Sequence, residues 1–98
     1  MKQYVFSNKA ENDLIEIYHY GFLNYGEIKT EQYMTGIKEK CQFIANTPYI
    51  NPSHSEFNPP VRLHHHKKHL IVYITKTNHI FIVRVLHEKM NIQSHLEN

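Results

Sequence analysis

The stretch from His79 to His87 reads HIFIVRVLH, and it constrains the fold more than any other part of the chain. It is rich in β-branched and aromatic residues and contains no Gly or Pro, which predicts a strand. One charged residue, Arg84, interrupts it near the C-terminal end. Because a charge within an apolar strand is costly unless it is paired or reaches water, Arg84 either completes an ion pair or lies at a functional surface.

Two further strands are predicted immediately before this one. Residues 61–66 alternate loosely between apolar and polar side chains, and residues 69–75 form a strongly apolar, β-branched run. Lys67-Lys68 fits a hairpin tip, although it lacks the usual Asn-Gly signal, and residues 76–78 form a short turn. The last third of the chain is therefore predicted to be a three-strand antiparallel meander.

The first half of the chain has the pattern of a short strand followed by two helices. Tyr4-Val5-Phe6 reads as the strand, and Ser7 and Asn8 are good helix N-cap residues. Helical spacing of apolar residues then predicts one helix over 10–23 and a second over about 27–46, with Gly26 between them. The predicted apolar face of the first helix is Ala10, Leu14, Ile17, Tyr18 and Phe22, and that of the second is Tyr33, Ile37, Cys41 and Ile44.

Residues 47–60 contain all four prolines and are predicted to form a loop, which either carries function or wraps the edge of the core. The predicted element order is β-α-α-β-β-β. This is an α+β domain in which a helical hairpin packs on a small antiparallel sheet. We expect residues 1–98 to form one domain, and Gly21 is expected to be a weak point inside the first helix.

Charge is unevenly distributed along the chain. Residues 1–60 carry five Lys and seven Asp or Glu, whereas residues 61–98 carry six Lys or Arg, two Glu and seven of the nine histidines. A basic C-terminal part suits an acidic partner, although a solvated basic face is the simpler interpretation. The single cysteine, Cys41, excludes an intramolecular disulfide and is expected to be a small buried side chain. With no signal-peptide pattern and no apolar run near 20 residues, we expect a cytoplasmic protein without a membrane segment.

The C-terminal segment RVLHEKMNIQSHL, residues 84–96, resembles the end of the ParE-like toxins of bacterial toxin–antitoxin pairs, within the broader RelE/ParE group. The resemblance extends along nearly the whole chain in order and spacing. One departure is Asn91 after Met90, where these toxins commonly have Asp. The other matching positions are Ala10, Asp13-Leu14, Ile17, Tyr18, Tyr25-Gly26, Tyr33, Ile44 to Pro48, Val61-Arg62 and Val72-Tyr73.

The resemblance implies the toxin of a type II pair, which forms a hetero-oligomer with a ParD-like antitoxin. ParE-like toxins generally act on DNA gyrase and need no cofactor, whereas RelE-like toxins of the same fold cleave messenger RNA on the ribosome. The resemblance therefore favours a gyrase-binding inhibitor without catalytic residues. A RelE-like endoribonuclease and an inactive toxin that only binds its antitoxin are the alternatives.

RNA cleavage needs an acid, a base and cations that stabilise the charged phosphorane. Arg62, Arg84 and His87 are the candidates for those roles. The candidate binding residues are the same three together with Lys67 and Lys68. Regular strand alternation, however, puts Arg84 on the side of Ile82 and Leu86 and His87 on the side of Val85. That geometry weakens a joint Arg84–His87 site, so the same residues are as well explained as anchors of the C-terminal segment.

The cluster His64-His65-His66 with His69 invites a metal interpretation, but a metal needs three or four convergent ligands. In a strand His64 and His66 share one face and His65 the other, and no Cys or carboxylate is near in sequence. A His-rich edge strand without a metal is therefore expected. Direct nucleic-acid binding is not expected either, because Tyr73 and Phe81 lie in apolar strand runs and no recognised motif is present.

Overall fold

The computed structural model describes residues 3–96. Near its start, Ser7 lies between the first strand and the first helix. Strand β1 spans Tyr4–Phe6, and helix α1 spans Asn8–Tyr25. The Ser7 hydroxyl accepts a hydrogen bond from the Ala10 amide at 2.9 Å, and it donates one to the Val83 carbonyl at 2.7 Å. Ser7 therefore caps the helix and also ties its start to the last strand.

Gly26 makes the connection between the two helices. It has a positive φ of 86°, and its amide donates to the Phe22 carbonyl at 3.2 Å. Helix α2 then spans Glu27–Asn46, which confirms the predicted bounds. Helix α1 extends two residues beyond the predicted 10–23 at each end. The prediction that Phe22 belongs to the buried face was wrong, since its side chain is 48% exposed.

Gly21 is where the two helices approach each other, and helix α1 continues through it without a break. A Cβ atom at position 21 would lie 2.8 Å from the Thr30 Oγ1 atom and 3.1 Å from its Cγ2 atom. Thr30 is buried, and its hydroxyl donates to the Gly26 carbonyl at 2.7 Å. The missing side chain at Gly21 is therefore what lets Thr30 pack against α1.

We predict that Gly21→Ala lowers the free energy of unfolding by about 1–2 kcal/mol, because the clash with Thr30 outweighs the better helix propensity of alanine. In a Thr30→Ala background the clashing atoms are gone, so the same change at Gly21 should stabilise by about 1 kcal/mol. Urea unfolding of the four variants in this cycle measures both effects. An equal loss in the two backgrounds would contradict the contact explanation.

Further strands follow α2: β2 is Ser53–His54, β3 is Val61–His66, β4 is His69–Thr75 and β5 is Ile80–His87. In the sheet the strands lie in the order β1-β5-β4-β3-β2. Strands β2 to β5 are antiparallel neighbours, whereas β1 pairs in parallel with β5, with Tyr4 opposite Ile80. The predicted α+β architecture is confirmed, but the sheet is mixed rather than antiparallel. The helical hairpin packs on one face of the sheet between β1 and the other strands, and β1 runs parallel to β5.

A β-bulge in β5 changes which side chains share a face. Tyr73 pairs with Ile82, but the preceding Val72 pairs with Arg84, so Val83 is an extra residue on β5. Beyond the bulge the alternation is reversed. The prediction that Arg84 shares a side with both Ile82 and Leu86 was therefore wrong, because Ile82 packs under the helices and Leu86 packs on the opposite face.

The sheet buries apolar side chains on both faces. The helix-facing core consists of Ala10, Ile37, Cys41, Ile44, Ala45, Ile71, Tyr73, Ile80, Ile82 and Val85. On the second face Val61, Val72 and Leu86 are covered by partly buried side chains that include Phe57, Ile92 and Leu96. Ile92–Leu96 is a short helix, α3, that the sequence pattern did not predict.

The loop over residues 47–60 wraps the edge of the sheet, and hydrogen bonds of Asn51 hold it there. The side-chain oxygen of Asn51 lies 2.8 Å from His64 Nδ1 and 3.3 Å from the Tyr73 hydroxyl. Tyr73 also donates to the Pro48 carbonyl at 3.0 Å. Strand β2 lies within this loop. None of the helices within residues 3–96 is long and apolar enough to span a bilayer.

Candidate functional site

Arg84 forms an ion pair with Asp13 of helix α1. Its Nε and Nη2 atoms each donate to one Asp13 carboxylate oxygen at 2.8 Å, and its Nη1 atom donates to the His95 carbonyl at 3.1 Å. The two side chains are only 15% and 12% exposed. The hydrogen bonds to Asp13 raise the pKa of Arg84. Of the two predicted roles for Arg84, the structure therefore selects the ion pair.

Asp13 also completes the edge of the sheet. Strand β1 ends at Phe6, so it does not pair with the end of β5. There the Val85 amide donates to the Asp13 carboxylate at 3.0 Å. One carboxylate thus satisfies a backbone donor and pairs the Arg84 charge, because a bidentate carboxylate can accept several hydrogen bonds at once.

Arg62 is also held by groups of the chain itself. Its guanidinium lies over the Tyr49 ring, 5.1 Å from the ring centroid, and donates to the Asn51 carbonyl. The three predicted catalytic candidates therefore have different partners. Arg62 contacts the loop over residues 47–60, Arg84 contacts α1, and the His87 ring packs on that of His69 with the centroids 5.4 Å apart.

Lys67, Lys68 and His87 come together at one end of the sheet, which we call the basic hairpin end. Lys67 has a φ of 54°, and its ammonium lies 5.7 Å from the centroid of the Tyr33 ring. The Glu88 amide donates to the Lys68 carbonyl at 2.8 Å, which joins the β3–β4 turn to the segment after β5. Both lysines are exposed and His87 is partly exposed, so a partner can reach this end.

The histidines of β3 have separate environments. His64 packs against Phe43 of α2 and contacts Asn51, His65 is exposed, and His66 is buried beside Tyr33. This confirms that His64 and His66 share a face. Within residues 3–96, no group of three or more His, Cys, Asp or Glu side chains is arranged to hold a metal ion.

Cys41 is fully buried under the sheet, and burial raises the pKa of its thiol to about 12. A thiol with this pKa stays protonated at neutral pH and is a poor nucleophile. This agrees with the expectation from the helical pattern that Cys41 is a small apolar side chain of the core.

Sequence reasoning did not identify the residues that position the candidate site residues. These are Tyr33, Asn51 and Asp13. In the sequence Asp13 was notable only as a position that matches the family pattern. The useful signal was Arg84, since a charge in a buried strand requires a carboxylate partner. No local signal identified Asn51, because its contacts depend on how the loop folds back over β3 and β4.

The turn of the helical hairpin exposes several large apolar side chains. Leu23 is 68% exposed and Ile28 is 75% exposed. Tyr20 and Tyr25 are also exposed and pack against each other, with ring centroids 6.4 Å apart. We call Tyr20, Leu23, Tyr25 and Ile28 the hairpin patch. Neighbouring exposed apolar side chains of this kind are typical of a protein-binding surface.

The fold is that of a known small protein class. A solved structure described as the chromosomal ParDE TA system from P. aeruginosa matches with a TM-score of 0.75 and 20% identity. The match covers 89% of this chain and 96% of that one. Together with the two helices packed on the sheet, this assigns the chain to the RelE/ParE-like fold.

Sequence comparison assigns the family. The family model described as "ParE toxin of type II toxin-antitoxin system, parDE" matches residues 4–92. Toxin ParE1 of Caulobacter vibrioides is 27% identical over 98% of this chain and 99% of its own length. Toxin ParE1 of Mycobacterium tuberculosis is 28% identical over 96% of this chain and 97% of its own. The chain therefore belongs to the ParE toxin family of type II toxin–antitoxin systems.

Proposed function

We propose that this toxin binds and inhibits DNA gyrase, and that it does so as a protein-binding inhibitor rather than as a nuclease. One observation carries the choice between these two mechanisms: both arginines that could bind a scissile phosphate already have partners within the chain. Arg84 is paired with Asp13, and Arg62 is held by Tyr49 and the Asn51 carbonyl. Membership of the ParE family supports the same choice.

The ion pair between Arg84 and Asp13 argues most strongly against RNA cleavage. Stabilising a phosphorane requires positive charge that is not already neutralised by a nearby carboxylate. To contact a phosphate, Arg84 would have to break two hydrogen bonds to Asp13, and the carboxylate would then repel the incoming anion. His87 alone cannot supply the acid, the base and the cations that the reaction needs.

We propose the basic hairpin end as the surface that contacts the target. Lys67 and Lys68 are exposed side by side, and His87 lies next to them. Exposed positive charge of this kind attracts an acidic protein surface and speeds association. Arg62 and Arg84, which the sequence also suggested as binding residues, contribute by holding the strands in place.

The first prediction for this function is that purified toxin with gyrase and ATP converts supercoiled plasmid to cleaved plasmid. A translating-ribosome mixture with the same toxin is expected to keep its mRNA intact. Lys67→Glu/Lys68→Glu should reduce plasmid cleavage by at least about tenfold, since it reverses two charges at the proposed contact. Lys76→Glu, in the exposed turn before β5, is the matched control and should retain activity.

Cleaved mRNA with untouched plasmid would overturn the gyrase proposal and make Arg62, Arg84 and His87 the residues to test in folded variants. No effect in either assay would point to an inactive toxin that only binds its antitoxin. In cells, a gyrase-resistant strain should survive expression of the toxin, whereas a sensitive strain should not.

We also propose that a ParD-like antitoxin neutralises the toxin by covering the hairpin patch and the strands of the basic C-terminal part, residues 61–98. Such an antitoxin would have a C-terminal segment that is acidic or amphipathic and that folds on contact. The exposed apolar side chains of the hairpin and the positive charge of residues 61–98 both suit that chemistry. Failure of the toxin to co-purify with the product of the adjacent small reading frame would contradict this.

A further inference from the structure

Three imidazoles form a row across the sheet where β3, β4 and β5 meet the β3–β4 turn. His66 is directly opposite His69 in the β3–β4 register, and His69 is directly opposite His87 in the β4–β5 register. The rings of His69 and His87 are 5.4 Å apart between centroids. Tyr33 of α2 lies 5.6 Å from the His66 ring and 5.4 Å from the His69 ring. We call His66, His69 and His87 the imidazole row.

The row links the end of the β3–β4 hairpin to helix α2. The Tyr33 hydroxyl lies 2.5 Å from His69 Nδ1 and 3.5 Å from the His66 carbonyl. The His66 ring packs on the helix at Gly36, where an added Cβ atom would be only 3.2 Å from Nε2. These contacts of Tyr33 and Gly36 hold the hairpin end against α2.

His66 is poorly placed to carry a charge. It is only 9% exposed, and its Nε2 atom is buried without a hydrogen-bond partner within the described part of the chain. A protonated ring would bring a further N–H donor into that position without an acceptor, and burying an unsatisfied charged donor is costly.

The charged groups around the row also oppose protonation. Lys40 of α2 and Lys67 of the turn face His66, and burial together with these two charges lowers its pKa. Burial, together with the neighbouring His87 and His66, lowers the pKa of His69 to about 4.

Two carboxylates act in the other direction. Glu88, after β5, and Asp13, on α1, favour the charged form of His69, but they do not outweigh burial. Tyr33, whose pKa is itself raised by burial, stays neutral and adds no compensating charge. Two adjacent protonated imidazoles would also repel each other across the β3–β4 pair.

We propose that the imidazole row is an acid-sensitive latch: neutral imidazoles hold the β3–β4 hairpin end against α2, and protonation in acid releases it. This goes beyond the proposed action on gyrase, because it concerns a conformational change in the toxin alone. The latch lies beneath Lys67 and Lys68, so its release would also move the surface that we propose contacts the target.

The direction of the pH effect follows from proton linkage. A histidine whose pKa is lower in the folded than in the unfolded protein stabilises the fold fully at pH values above the unfolded pKa, about 6.5. That stabilisation is lost as the pH falls from there towards the folded value, which for His69 is about 4. His69 alone should therefore raise the unfolding equilibrium constant roughly twentyfold between pH 7 and pH 5.

Urea unfolding at a series of pH values tests the latch. Between pH 7 and pH 5 the unfolding constant should rise roughly twentyfold less in His69→Gln than in the wild type, because glutamine cannot titrate. His79→Gln removes a partly exposed histidine outside the row, just before β5, and should leave the dependence unchanged. His66→Gln removes the buried imidazole opposite His69 and should also flatten the curve. An unchanged dependence in both His69→Gln and His66→Gln would overturn the proposal.

Imidazole titration by NMR on the wild-type protein avoids any folding defect of the variants. His66 and His69 are expected to titrate below the ordinary histidine range, and the amides of Gly36 and Lys67 should shift or broaden together with them. Titration of both rings in the ordinary range, or titration without any change at Gly36, would show that no latch opens.

Discussion

Replacing Asp13 by alanine is expected to lower the free energy of unfolding by about 3 kcal/mol, which is a large fraction of the stability of a domain this small. The change removes two of the three acceptors of the Arg84 guanidinium and the acceptor of the Val85 amide. Arg84 then remains as a charge that is only 15% exposed and has lost its carboxylate, and this uncompensated burial accounts for most of the loss.

Two further variants separate the charge from the hydrogen bonds. Asp13→Asn keeps one oxygen acceptor and the shape of the side chain but removes the negative charge, so we expect a smaller loss of about 2 kcal/mol. Glu16→Gln removes an exposed carboxylate of the same helix that acts on Arg84 only through its charge, and it should change stability by less than about 0.5 kcal/mol.

Chemical denaturation of Asp13→Ala, Arg84→Ala and the double variant measures the coupling between the two side chains. Because the residues contact each other directly, the double variant should be much less destabilised than the sum of the single variants. Additive effects would mean that Asp13 acts only through the Val85 amide. They would also remove the main argument that Arg84 is committed to the fold and is not available to a phosphate.

Local signals predicted the helices well. Helix α2 begins at Glu27 and ends at Asn46, as expected. Gly26 and Thr47-Pro48 stop a helix through local backbone geometry, whatever the tertiary fold. The β3–β4 turn at Lys67-Lys68 was also predicted, and the register of the hairpin follows directly from a two-residue turn. That register is what puts His66 opposite His69.

Contacts between distant parts of the chain could not be predicted in the same way. The parallel pairing of β1 with β5 and the bulge at Val83 depend on how the helical hairpin settles on the sheet. For Arg84 the sequence left two alternatives, and its partner Asp13 lies 71 positions away. A pattern of residues indicates that a buried charge needs a partner, but only the packed fold decides which carboxylate meets it.

The hairpin patch leads to the second large effect, on antitoxin binding. We expect Leu23→Glu and Ile28→Glu each to weaken the affinity for the antitoxin by at least about 100-fold, or about 2.7 kcal/mol. Burial of one leucine or isoleucine side chain at an interface contributes about 1.5–3 kcal/mol, and a glutamate there must also lose its hydration. Leu23 and Ile28 are mostly exposed in the toxin alone, so neither change should affect its folding.

Titration calorimetry with the purified antitoxin measures this affinity, and Lys29→Gln provides the matched control. It alters the net charge by the same amount as Ile28→Glu, at the next position of α2, and Lys29 is also exposed. If Lys29→Gln weakens binding as much as Ile28→Glu does, charge rather than apolar contact explains the loss. If all three variants bind like the wild type, the antitoxin does not use the hairpin patch. Lys67→Glu/Lys68→Glu then tests whether it occupies the basic hairpin end, where it would exclude the target directly.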